Sequence, residues 1–143
     1  MEVEKFFGSS YNGSKGFTQQ DVSTANATGF GAAADDYMER GIDLNEQLIR
    51  NKPATFFMRV SGSSMINAGI YEGDIVIVDR SLKPQNGKIV IAVIDGEMLI
   101  RRYVKTINSL RLIPETAKLS PIEINEFNDF KIWGVVIYII RNV

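Results

Sequence analysis

The stretch Val60-Ser61-Gly62-Ser63-Ser64-Met65 gathers three hydroxyls around a glycine, one residue after the apolar run Phe56-Phe57-Met58. A serine in a tight turn at the end of a strand is a candidate nucleophile, provided some neighbouring group can take its proton. Histidine, the usual acceptor, does not occur in the chain, which excludes a Ser-His-Asp arrangement and the commonest zinc ligand. Cysteine is also absent, so thiolate nucleophiles, thiolate metal sites and disulfides are excluded as well. No metal and no cofactor is expected. Taken alone, Ser61 to Ser64 would be an ordinary surface turn, because Ser and Gly are common turn residues.

The body that must carry this turn is small. The chain has 143 residues, of which 45% are hydrophobic, enough for one buried core and one domain. The net charge of -1, without a polybasic cluster, gives no field for gripping a phosphate backbone, so direct nucleic-acid binding is not expected. No N-terminal signal pattern is present, and the most apolar stretch, Ile132 to Ile140, has nine residues including a glycine, too short for a membrane-crossing helix. The expectation is a soluble, cytoplasmic protein without a membrane partner.

Composition changes once along the chain. Residues 1–34 are rich in Gly, Ser, Thr, Asn and Ala, with isolated aromatics and no sustained period of 2 or 3.6, which predicts an extended N-terminal arm rather than a packed unit. In residues 35–143, Asp43-Leu44-Asn45-Glu46 before Leu48 and Pro53 predicts a short capped helix with Leu44 and Leu48 on one face. From Ala54 onward, short β-branched or aromatic runs separated by Gly, Pro, Asn and Asp predict strands over 56–60, 74–79, 88–94, 97–104, 110–113, 122–124 and 131–141. The fold class is mainly β and mostly antiparallel. Asp95-Gly96 between two apolar runs predicts a two-residue hairpin turn, whose register sets Ile94 opposite Glu97, Val93 opposite Met98 and Val90 opposite Arg101.

The segment from Ser61 to Asp79, with Ser64-Met65, Gly69, Gly73-Asp74 and the strand Val76-Ile77-Val78-Asp79, resembles the nucleophile segment of the LexA-like self-cleaving serine peptidases. The resemblance continues through Ala34-Asp35-Asp36-Tyr37, Ile42 to Asn45, Pro53 to Phe57, Leu112-Ile113-Pro114, Ser120-Pro121-Ile122 and Trp133 to Ile137, and is nearest to the UmuD-like branch. Repressors of the family carry a helix-turn-helix domain, which residues 1–34, lacking helical periodicity, cannot supply. The resemblance implies a compact LexA C-terminal-domain-like β fold with one short helix. It also implies a lysine that, neutralised by an apolar setting, takes the proton of Ser64. The implied substrate is the chain's own arm, cut at Thr28-Gly29, where glycine lets the backbone approach the site closely. A RecA filament on single-stranded DNA is the implied activator and a Y-family translesion polymerase the implied partner. The last strand, apolar on both faces, is expected to serve the core and also a homodimer interface.

Two positions depart from the family pattern. Thr28 stands where alanine or cysteine is usual, and Arg101 stands where the hairpin strand should carry the lysine. A guanidinium stays protonated in proteins, with a pKa above about 12, and cannot act as the base. Lys105 shares the strand face but lies about 13 Å away at roughly 3.3 Å per residue, too far to substitute. Either self-cleavage is lost or very slow in this chain, or the lysine was exchanged to hold the uncut form. Three readings remain open: a self-processing UmuD-like regulator, a non-catalytic docking module on the same fold, and a signal-peptidase-like enzyme, which would need a membrane anchor.

Overall fold

The computed structural model describes residues 2–7 and 43–143. Eight strands form one sheet: β1 (Val3–Phe7), β2 (Thr55–Val60), β3 (Ile75–Asp79), β4 (Ile89–Ile94), β5 (Glu97–Lys105), β6 (Leu110–Ile113), β7 (Ile122–Glu123) and β8 (Phe130–Ile140). Their order is β1-β2-β3-β8-β4-β5-β6-β7, and each neighbouring pair is antiparallel. The short helix α1 (Leu44–Leu48) starts where expected, with the Asp43 carboxylate accepting from the Asn45 N–H at 2.9 Å. Its buried anchor is the following residue, Ile49, whereas Leu44 is exposed. Among the described residues no helix is long and apolar enough to cross a membrane.

The hairpin between β4 and β5 fixes the geometry on which the site depends. Asp95 has φ 49° and Gly96 φ 83°, so both central residues take the left-handed conformation that a tight turn between twisted strands requires. Its register pairs Ile94 with Glu97, Val93 with Met98 and Val90 with Arg101, as the two-residue turn dictates. Strand alternation then separates neighbouring arginines. Arg101 is buried, while Arg102 reaches outward to the Glu115 carboxylate at 2.5 Å and the Gly87 carbonyl at 2.7 Å.

β8 lies in the middle of the sheet, between β3 and β4, and two bulges bend it. Ile137 is the extra residue against β3 and Trp133 the extra residue against β4. Both faces of the sheet are covered by apolar clusters. One joins Val3, Met58, Val60, Met65, Ile70, Val76, Val78, Ile91 and Ile100, with Trp133 and Val136 packed on it. The other joins Val90, Ala92, Tyr103, Leu112 and Val135, with Ile132 packed on it. The middle of β8 thereby serves both clusters, while Ile139 and Ile140 at its end are exposed.

The segment read as an arm contributes the edge strand β1, paired with β2 through Val3↔Val60, Glu4↔Arg59, Lys5↔Met58 and Phe7↔Phe57. The Glu2 main chain extends this pairing to a second strand. Its N–H donates to the Met98 carbonyl at 3.1 Å, and its carbonyl accepts from the Ser61 N–H at 2.7 Å. Val3 is almost wholly buried in the first cluster. Thr28 and Gly29 lie outside the described residues.

Candidate functional site

Ser64 sits in the turn that leaves β2. Gly62, at φ 86°, reverses the chain there; next comes a single 3-10 turn over Ile66–Ala68, closed by Gly69 at φ 83°. Met65 anchors the turn by burying its side chain in the first cluster. A strap following β6 fixes it from outside. The Glu115 N–H donates to the Ser64 carbonyl at 2.8 Å, and the Glu115 carbonyl accepts from the Asn67 N–H at 2.8 Å. The Glu115 side chain is held in turn by Arg102, so the residue beside Arg101 braces the turn that carries Ser64.

The two side chains singled out in the sequence converge. Ser64 and Arg101 are each only 4% exposed, and both donate to one oxygen, Oε1 of Glu2. Ser64 Oγ is 3.1 Å from that oxygen and the Ile100 N–H donates to it at 3.1 Å, while Arg101 Nη1 completes the set. Arg101 Nη1 also donates to the Ile100 carbonyl at 2.8 Å. Arg101 Nε is buried and has no hydrogen-bond partner among the described residues. Lys105, the other cation on this strand face, is exposed at the far end of β5.

This arrangement is a set of three donors around a negative oxygen. Such a set binds a carboxylate well, because a charge-assisted hydrogen bond is about twice as strong as a neutral one. Its guanidinium offers no lone pair to take the proton of Ser64. The hydroxyl instead spends its hydrogen on Glu2. Sequence reasoning missed Glu2 and Glu115, and the only local signal for Glu2 was the brief polar-apolar alternation in Glu2-Val3-Glu4.

A model of the family described as Peptidase S24-like matches residues 21–137. The chain belongs to the Peptidase S24-like family. Among curated proteins it is similar to Protein ImpA of Salmonella typhimurium, 42% identical over 117 residues that cover 79% of this chain and 77% of that protein. It is similar to LexA repressor 1 of Xanthomonas campestris pv. campestris, 38% identical over 115 residues, covering 80% of this chain and 57% of the repressor. A LexA repressor of Caldicellulosiruptor saccharolyticus is 42% identical over 106 residues, covering 74% of this chain and 50% of its own length. The chain thus spans about half the length of the repressors and most of ImpA, and as an S24-like protein it is UmuD-like.

Proposed function

We propose that this S24-like chain is a UmuD-like protein of the DNA-damage (SOS) response, acting in the cytoplasm as a homodimeric accessory subunit of an error-prone Y-family polymerase. Its Ser64 site has the layout of a self-cleaving peptidase but stalls at Arg101. The observation that carries this reading is the burial of Arg101 beside Ser64, at the strand position where the family resemblance calls for lysine. Substrate and regulator are the same segment. A cut at Thr28-Gly29 would detach residues 1–28 and with them β1, which would uncover the edge of β2 and the place now filled by Val3. Cleavage would act as a switch of surface, promoted by a RecA filament. The same burial of Arg101 favours one alternative, a docking module on this fold that is never cut.

Intact mass separates the two. The unaltered chain, Arg101→Lys and Arg101→Lys with Ser64→Ala are held for hours at mildly alkaline pH, with and without RecA filaments on single-stranded DNA. The lysine form is expected to lose residues 1–28, and the other two are expected to stay whole. A lysine form that stays whole with filaments present rules out self-processing, and loss of the arm from the unaltered chain refutes the assignment of Arg101 as the block.

A further inference from the structure

A guanidinium only 4% exposed needs a counter-charge, because an uncompensated buried ion is strongly destabilising. The acid that meets Arg101 comes from the opposite end of the sequence. We propose that Ser64, the Ile100 amide and Arg101 form a carboxylate-binding site whose ligand is Glu2, the residue immediately before β1, so that β1 is latched across the site and can be released from it.

Three independent contacts hold this ligand. The carboxylate accepts from Ser64 Oγ at 3.1 Å, from the Ile100 N–H at 3.1 Å and from Arg101 Nη1. The Glu2 main chain is clamped on both sides, by the Met98 carbonyl of β5 at 3.1 Å and the Ser61 N–H at 2.7 Å. The adjoining side chain, Val3, enters the apolar cluster that includes Met65 and Ile100, the neighbours of Ser64 and Arg101 in sequence. An extended segment with a carboxylate followed by a small apolar side chain is thus recognised in the manner of a strand added to a sheet, with its charge read at the end.

The latch is incomplete, which makes it releasable. Glu2 engages Arg101 through one oxygen and one guanidinium nitrogen, not the paired contact that gives the strongest arginine-carboxylate bonds. Arg101 Nε remains without a partner among the described residues. A buried donor left unpaired raises the free energy of the latched state and favours any occupant, including water, that can satisfy it.

The proposal concerns the same site as the proposed function, but it stands on hydrogen bonds and burial and needs no bond to be cut. Its test is amide hydrogen exchange at Val3–Phe7 in the full chain at neutral pH, comparing the unaltered protein with Glu2→Gln, Glu2→Ala and, as a remote hydrogen-bond control in the β5–β6 turn, Thr106→Ala. Protection of these amides is expected to fall by about tenfold or more in both Glu2 variants, the size of effect expected from losing hydrogen bonds to a charged group. Protection in β4 and in the control should be unchanged. Equal protection of β1 in the unaltered and Glu2→Ala chains would overturn the latch, as would an equal loss in Thr106→Ala. Failure of the Arg101→Lys form to cleave would remove the self-processing reading and leave this result standing.

Discussion

Arginine and lysine carry the same charge at position 101 but not the same chemistry. A buried lysine can be neutralised and then accept a proton, whereas arginine keeps its charge and must be given a counter-ion. Glu2 is that counter-ion here, so that Arg101 makes this a place suited to an anion. A carboxylate that is itself buried, Asp74, is paired with an arginine in a structural role. Asp74 accepts from Arg141 Nε at 2.8 Å and Nη2 at 2.6 Å, and from the Tyr71 N–H at 2.8 Å, while the Arg141 guanidinium lies 4.3 Å from the centre of the Tyr71 ring. The Arg141 hydrogen bonds, foremost, hold the Asp74 carboxyl below the usual carboxylate range, against the opposing effect of burial. Because the native group is then the stronger acid, the unfolded state takes up the proton first. Its contribution to stability is complete above the ordinary aspartate value of about 3.9 and is lost as the pH falls from there through the lowered native value. Asp74→Asn should therefore show a flatter acid limb in denaturation midpoint against pH than the unaltered chain; superimposable limbs would contradict this account.

At the scale of elements, the site depends on a hairpin and on a glycine. Gly96 at φ 83° lets the β4–β5 turn close in the register that sets Arg101 opposite Val90, and Gly96→Ala should cost about 1–2 kcal/mol, the penalty of a left-handed residue with a side chain. Gly134 in β8 is required by space rather than by φ, since a Cβ there would stand 2.5 Å from Val78 Cγ1. Gly134→Ala should lower stability by about 1–3 kcal/mol through overpacking, read as a lower urea midpoint at unchanged slope. These elements also show what the sequence made legible. The Asp95-Gly96 turn, the Asp43 cap and the β-branched runs are local signals, and each predicted strand from β2 to β8 was found with its ends within one residue. Asp74, expected inside a strand, instead precedes β3 because its side chain is taken by Tyr71 and Arg141. What could not be read is long-range pairing. Glu2 meets Arg101 across 99 positions, and β1 is a five-residue strand whose partner lies far along the chain in a stretch with no sustained period. Ser64 was legible through its surrounding block, whereas the Glu115 strap that holds its turn was not, because a lone glutamate after a proline carries no sign of what its backbone will meet.

For the whole molecule, the consequence is that the first residues belong to the folded body and to the site together. Val3 fills part of the main core, and Val3→Ala should remove roughly 1–2 kcal/mol of stability, the value of two buried methyl groups with partial relaxation around them. An equilibrium urea titration of the full chain would reveal it, and an unchanged midpoint would mean that β1 is not part of the cooperative unit. Folding, the covering of β2 and the occupation of the Ser64 site are thus linked through one short strand. In the proposed reading the Ser64 hydroxyl is idle because its neighbours are a guanidinium and a carboxylate. Labelling by a serine-directed fluorophosphonate, followed by intact mass and peptide mapping, tests it most directly. The unaltered chain is expected to gain no adduct, and the chain carrying Arg101→Lys with Glu2→Gln to gain one at Ser64, abolished by Ser64→Ala. Labelling of Ser64 in the unaltered chain at the rate of that double variant would contradict the account.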